Sequence, residues 1–312
     1  MAQDETSWLS DTRRRISDND LWYSFTHTPM AYISAIMGII LVSLAVFAPW
    51  IAPHNPFDLA SIDLFDSNLP PSWLDGGNSR FWLGTDDQGR GIMSTIFYGM
   101  RISLFVGFTS VFLSLIIGVS LGLISGYVGG RVDSIIMRIA DVQLSFPAIL
   151  IALLIDGVFR SVVSKAQHEN LALYVVIFAI AVSGWVQYAR TVRSSVMTEK
   201  IKEYVQAGQV IGLGSTRIMI KHILPNVLGP VFVIGTLHLA LAIIIEATLS
   251  FLGVGLPPTT PSLGTLIRIG NEYLFSGEWW ITIFPGLTLI ILSLSVNLFG
   301  DWLRDALNPK LQ

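Results

Sequence analysis

The sequence contains no cysteine, which excludes disulfides, thiol catalysis and cysteine-based metal sites. Charge is scarce. Only 13% of the 312 residues are Asp, Glu, Lys or Arg, about half the usual share in soluble domains. No Gly-Lys pair occurs, so the phosphate-binding loop G-x-x-x-x-G-K-[ST] is missing. H-E-x-x-H is missing too, and His27, His54, His168, His222 and His238 are scattered without metal-ligand spacing. The net charge of −3 offers nothing to a nucleic acid. Apolar residues are abundant, at 52% of the chain. A soluble fold of this length could not hide that much apolar surface, and a disordered chain has the opposite composition. The main solvent is therefore lipid.

A spanning helix needs about 20 mainly apolar residues. Uncharged runs supply six: Ala31–Ala52, Ile102–Gly130, Ile135–Asp156, Leu171–Ala189, His222–Ile245 and Trp279–Gly300. The third contains Arg138 and Asp141, spaced to pair along one helix face. The fold expected is an all-α membrane protein of six transmembrane helices. Six spans place both termini on one side. That side carries thirteen of the 19 Lys and Arg residues, among them Arg13, Arg14, Arg15, Arg190, Arg193 and Lys310. Basic residues stay in the cytoplasm, so both termini are expected there. Residues 1–30 read as a cytoplasmic segment, with Leu21–Met30 along the membrane surface, and 31–312 as the membrane domain. Trp22, Trp50, Trp185, Trp279, Trp280 and Trp302 fall near the proposed span ends, as an interfacial belt requires.

Three segments face outward: residues 53–100, 157–169 and 253–278. The proline-broken run Ala247–Ile267 is not assigned as a helix. It can dip back into the protein, where irregular backbone is tolerated beside a cavity. The largest inward loop is Thr191–Leu224. Within it, Glu199–Ile211 predicts a short helix capped by Thr198 and ended by Gly212 and Gly214. Ile201, Tyr204, Val205, Gly208 and Ile211 share one face, and Glu199, Lys202, Glu203, Gln206 and Gln209 the other. Ser215 then caps a second short helix running to Pro225. Such a unit lies on lipid headgroups, on the feet of its own helices, or in a groove of a partner protein.

Gly118-Val119-Ser120-Leu121-Gly122 matches the G-x-S-x-G elbow of serine hydrolases. It falls inside a span, where no strand-to-helix turn is available. Gly118, Gly122 and Gly126, spaced by four, suit close helix packing instead. An intramembrane hydrolase with Ser120 as nucleophile is the weakest of the rival readings. A secondary transporter is another, but no internal repeat supports it. Ionisable residues in spans are functional candidates. Glu246 is the foremost, and Asp156 reads as a helix end. His238 reads as a packed or pore-facing residue.

Four stretches carry a resemblance. Gln206-Ala207-Gly208, Gly212 and His222-Ile223-Leu224-Pro225 keep the spacing of the EAA loop of ABC-importer permeases, with Gln206, Gly208 and His222 departing from its residues. Leu83-Gly84-Thr85-Asp86-Asp87-Gln88-Gly89-Arg90 resembles the outer-loop motif of the second permease subunit of peptide and nickel importers. Gly91 stands where that family usually has Asp. Glu246–Gly253 with Pro257–Ser262, and Gly300–Pro309 with Asn308 in place of Asp, are similar to two more of its signatures. The likeness runs from about residue 30 to the end.

The resemblance implies a type I importer-like permease in a prokaryotic inner membrane. Its partners would be a second homologous permease, two cytoplasmic ATPases and an extracytoplasmic solute-binding protein. The chain itself would have no catalytic residue, metal or cofactor, because ATP and Mg would be held by the ATPases. Glu203, Tyr204, Ala207, Gly208 and Gly212 would lie at the ATPase contact. Asp86, Asp87 and Arg90 form a charged outer patch that either meets the binding protein or is a solvated turn. Glu246 would line the path, bond across the subunit interface, or bond to a neighbouring helix. Peptide is the expected solute, with nickel or another small solute as the alternative.

Overall fold

The computed structural model describes residues 20–58 and 62–306. The triple arginine near the start, Lys310 and the last three residues of the Gly300–Pro309 signature lie outside them. Among the described residues there is no strand, only an isolated bridge between Thr85 and Gly91. Twelve α-helices follow one another: α1 Asp20–His27, α2 Pro29–Val46, α3 Ala48–Ile51, α4 Ile92–Val128, α5 Gly130–Leu144, α6 Ala148–Val162, α7 Lys165–Glu199, α8 Glu203–Val210, α9 Ser215–Arg217, α10 Leu224–Phe251, α11 Leu263–Tyr273 and α12 Trp280–Ala306. Among the described residues five helical stretches are long and apolar enough to cross a membrane, and the pair α5–α6 counts as a sixth when its two bent halves are taken as one span.

The centre is α4 against α7. Gly118, Gly122 and Gly126 form the contact stripe. A Cβ on them would fall 2.5 Å from the Trp185 carbonyl, 2.5 Å from that of Ala189 and 2.8 Å from that of Arg193. Only hydrogen fits there, so the backbones touch. Ser120 is exposed, within the last third of α4 and well inside the helix. The elbow motif is thus a packing stripe. The same stripe seats Tyr188, Val192 and Val196 in an apolar cluster with Val205, Ile218 and Val227.

Several boundaries differ from the sequence reading. The helix expected from Ile102 begins ten residues earlier, at Ile92. The third span is not straight. It breaks at Ser145–Pro147 with a bend of 93°, because proline lacks an N–H and disfavours helix in the residue before it. Asp141 pairs with Arg190 of α7 at 2.5 Å rather than with Arg138. Helix α7 does not stop at Ala189 but runs to Glu199, since Arg193 finds Asp133 on α5 at 2.5 Å. Trp185 is not interfacial. It is buried midway along α7, where its indole N–H donates to Gln143 Oε1 at 2.8 Å. Residues 253–278 do return into the protein. They form the helix α11, which Ser262 caps by accepting from the Thr265 N–H at 3.3 Å. The prolines lie ahead of the cap, so they do not interrupt the helix. At the start of the chain, α1 packs beside the end of α12, with Phe25 edge-on to Trp302 at 5.0 Å.

Candidate functional site

The inward loop is built around α8. It starts at Glu203, not Glu199, because α7 occupies the chain up to that point and Lys200–Lys202 form the link. The N-cap is Lys202. Thr198 stays within α7, its hydroxyl donating to the Ser194 carbonyl at 3.3 Å. The C-terminus ends in two crossed bonds: the Leu213 N–H donates to the Gly208 carbonyl and the Gly212 N–H to the Gln209 carbonyl, both at 3.0 Å. That closure needs a left-handed residue, and Gly212 supplies it at φ +83°. Ser215 is the first residue of α9 rather than its cap. Nor does Pro225 end that helix. A π-helical turn over Ile218–Ile223 carries the chain into α10, where Pro225 occupies the first turn. Proline is tolerated there because that N–H has no helical partner.

The two faces of α8 also differ from expectation. Only Val205 and Gly208 turn inward, against Ile218 and Leu213. Glu203, Ala207 and Gly212 are exposed, and so are three apolar residues: Ile201 at 66%, Val210 at 88% and Ile211 at 77%. None of these lies in an apolar span. Ile201 and Val210 border an open recess of about 720 Å³ that Tyr127, Lys200, Gln206 and Gln209 complete. Exposed aliphatic side chains beside polar ones have the composition of a contact surface.

Tyr204 is a strut. Its hydroxyl donates to Glu199 Oε1 at 2.5 Å and receives Asn226 Nδ2 at 3.2 Å. Asn226 also donates to the His222 carbonyl at 2.7 Å. One phenol thus joins the end of α7, the short helix α8 and the start of α10. Partial burial and the Glu199 carboxylate push it up to about 12.

The outward motif Leu83–Arg90 is a knot rather than a patch. Asp86 and Arg90 are 1% and 3% exposed and form an ion pair of 2.7 Å. Asp86 Oδ1 also accepts the Gln88 and Arg90 backbone N–H groups, at 3.0 and 2.9 Å. Burial pushes the Asp86 carboxyl up, against the pull of Arg90. The Thr85 hydroxyl donates to the Asp66 carbonyl and accepts the Leu69 N–H at 2.8 Å. Its carbonyl takes the Trp280 indole N–H at 3.1 Å. The motif therefore ties the 62–91 segment to α4 and α12. Asp86 and Arg90 are turned inward, not outward as a charged patch. Asp87 is partly exposed and lies near Tyr273 of α11.

Glu246 is fully buried in this chain's own packing. Its carboxylate accepts from Ser103 of α4 at 2.8 Å and from Ser250 at 2.7 Å. Ser103 in turn accepts the Leu263 N–H at 3.2 Å. The cluster fastens the start of α11 to α4 and α10. Asp156 is not a helix end. It lies buried within α6 and pairs with Arg160 at 2.5 Å, and Arg160 reaches the Gly253 carbonyl at 3.2 Å. His238 is packed edge-on against Tyr188 at 4.8 Å between centroids.

Residues 118–312 match the family described as "Binding-protein-dependent transport system inner membrane component", and residues 19–71 match the "N-terminal TM domain of oligopeptide transport permease C". The chain belongs to this transport family. Among its curated relatives, the "Di/tripeptide transport system permease protein DppC" of Pseudomonas aeruginosa is 39% identical over 94% of this chain and 92% of that one. The "Dipeptide transport system permease protein DppC" of Escherichia coli strain K12 is 41% identical over 94% and 93%. The "Oligopeptide transport system permease protein OppC" of Bacillus subtilis is 36% identical over 94% and 90%. The fold is similar to that of a chain in inward-facing structures of the MetNI methionine ABC transporter, with a TM-score of 0.53 and 18% identity, covering 70% of this chain and 98% of that one.

Among the described residues, the polar groups of the site are tied up in struts between helices. Sequence reasoning missed several of them. The Tyr204–Asn226 bond and the Arg193–Asp133 pair span long sequence separations that no local period marks. His54 was likewise set aside as scattered. Its Nε2 accepts the Gly91 N–H at 3.1 Å, holding the start of α4. Burial, with Arg80 nearby, lowers the pKa of His54 from 6.5. The folded state thus binds the proton less readily than the unfolded one. Its contribution is present above pH 6.5 and is lost as the pH falls through the folded value. The protection factor of the Gly91 amide, corrected for intrinsic exchange, should fall in mildly acidic buffer, and His54→Gln should remove that fall. A protection factor flat across this range in the parent protein would contradict the assignment.

Proposed function

We propose that this chain is one of two permease subunits of an ATP-driven importer of short peptides, with α8 as the lever through which a separate ATPase moves it. The observation that carries the lever is the exposed apolar trio of Ile201, Val210 and Ile211 at the two ends of a short helix outside the spans. That helix is braced to α7 and α10 by Tyr204, so a push on it travels into two long helices at once. Glu203, Ala207 and Gly212 lie on its open side, and Gly208 lets it sit close to Ile218. Tyr204 is mainly a brace in this reading. The chain lacks a phosphate loop, so ATP and Mg belong to partner chains. The excess of Lys and Arg on the α8 side supports a cytoplasmic location for that side and for both termini.

The peptide substrate is supported by the names of the di- and tripeptide and oligopeptide permeases that resemble this chain. A second permease would complete the path, and a solute-binding protein would deliver the cargo from outside. Glu246 is assigned to holding α11 in place, not to touching cargo. In a cysteine-free chain, Ala207→Cys gives a single reactive thiol. It should crosslink to a cysteine in the docking groove of the co-purified ATPase, and nucleotide should change the yield. If scanning positions 201–212 gives no crosslink to the ATPase anywhere, the docking assignment is wrong.

A further inference from the structure

We propose that a small cavity between α4, α7 and α10, apolar over most of its wall with one polar side, is a contact point for the backbone amide of the transported peptide. This inference rests on the peptide-import reading and names where this chain touches its cargo. The cavity has a volume of about 150 Å³; Ser114, Ser183, Gln187 and His238 form its polar side, beside Gly184, and the rest of its lining, from Ala148 to Ile245, is aliphatic. That is room for about five waters, or for one peptide unit. Ser114, Gln187 and His238 each sit in the middle third of their helices, and Ala148 starts α6 just after the break at Pro147. Transport sites sit near the membrane midplane, often beside broken helices.

The donor and acceptor pattern decides the ligand chemistry. Ser114 is committed to the Ala181 carbonyl at 2.9 Å, and Ser183 to that of Ala179 at 2.8 Å. The active pair is His238 and Gln187. His238 Nε2 and Gln187 Oε1 lie 2.6 Å apart, so Nε2 carries the proton. That leaves His238 Nδ1 as a free acceptor and the Gln187 NH2 as a free donor. If the amide is turned over, Gln187 donates to Nε2, and the free groups become Nδ1–H and the amide oxygen. In both arrangements the pair presents one donor and one acceptor without a partner among the described residues. A Cβ on Gly184 would stand 3.8 Å from Nδ1 and 2.9 Å from Ser114 Oγ, so any side chain there would fill the space. One donor beside one acceptor complements the C=O and N–H that every peptide carries, whatever its side chains. A permease that passes many sequences gains nothing from reading side chains, and a backbone contact is blind to them. An unpaired donor and acceptor at mid-membrane depth also await a polar partner by the general cost of leaving such groups unmet.

The test uses the full complex in proteoliposomes, with trialanine and with trialanine methylated on both peptide nitrogens, each at saturating binding protein. The parent should import trialanine and carry the methylated peptide about tenfold more slowly, the value of one good hydrogen bond. Of Gln187→Leu and His238→Leu, the one that removes the acceptor of the peptide N–H should slow trialanine to that level and slow the methylated peptide little further, while the other removes the donor to the C=O and slows both peptides. If both variants slow the two peptides alike, the defect is merely structural and the proposal is overturned. So it is by parent-like import in both variants, which leaves peptide import itself standing. Failure of the parent to import trialanine with ATP would instead overturn the peptide reading, and this inference with it. A second arm avoids disruptive changes: Ser183→Cys should react with a small water-soluble thiol reagent, and trialanine should protect it during turnover. A thiol that never reacts means a sealed cavity and ends the proposal.

Discussion

Gly212→Val will reduce peptide uptake to background while the chain still inserts and pairs with its partner permease. Gly212 sits at φ +83°, and a Cβ there would meet no atom within 4 Å. The substitution therefore acts through backbone strain alone. A side chain in the left-handed region costs about 1–2 kcal/mol, and a branched one more. The chain can relieve that strain only by giving up the two crossed bonds that end α8. The end of the lever then changes direction just beside Val210 and Ile211, which the ATPase would grip. A graded series separates strain from bulk. Gly212→Asn should keep most uptake, because asparagine tolerates this conformation. Gly212→Ala should fall between. Transport at the parental rate with valine in place would remove the docking role from this turn. Equal loss with asparagine would show that contact, not strain, is at stake.

Arg90→Ala should cost the folded protein about 3–5 kcal/mol, the expected result of leaving one member of a buried pair uncompensated. Asp86 would remain enclosed with a charge and two backbone donors but no counter-ion. The chain should accumulate poorly and become sensitive to protease in the 62–91 segment. Replacing both members, as Asp86→Leu with Arg90→Met, should restore accumulation in part, because a packed apolar pair avoids the desolvation cost. A docking patch would behave otherwise. Arg90→Ala would then leave the chain stable and weaken only the binding protein's affinity for the complex. Measuring accumulation and that affinity in the same variant decides between the two.

Those two sites show what a sequence can carry. The spans were legible because lipid demands long uncharged runs, a signal that survives without any tertiary knowledge. The glycine turn was legible for a similar reason: Gly212 and Gly214 follow an amphipathic stretch, and the sharp turn falls where they stand. The stripe Gly118–Gly122–Gly126 was read correctly as packing because its period matches one helix face. Boundaries were less visible. Arg190 and Arg193 resemble the end of a span, yet their partners Asp141 and Asp133 on α5 let α7 continue, and such pairs leave no local pattern. Pro225 looked like a stop but sits in the first turn of α10 behind a π turn, where proline does no harm. Charge also misled. Asp86 and Arg90 read as surface residues because charged residues usually are, and only the fold shows them folded against each other. Glu246 was singled out for its intramembrane charge, but its partners Ser103 and Leu263 come from distant segments. The pairing of Gln187 with His238 was hidden for the same reason.

The central claim is that this chain is a gate moved by other chains' ATP. The most direct measurement is uptake of a labelled tripeptide into proteoliposomes holding both permeases, the binding protein and the ATPases, run against an ATPase variant unable to hydrolyse nucleotide. The account predicts uptake with ATP and the active ATPase, none with the inactive one, and no change when ionophores collapse every ion gradient. Uptake that persists without ATPase subunits, and disappears with the gradient, would contradict it.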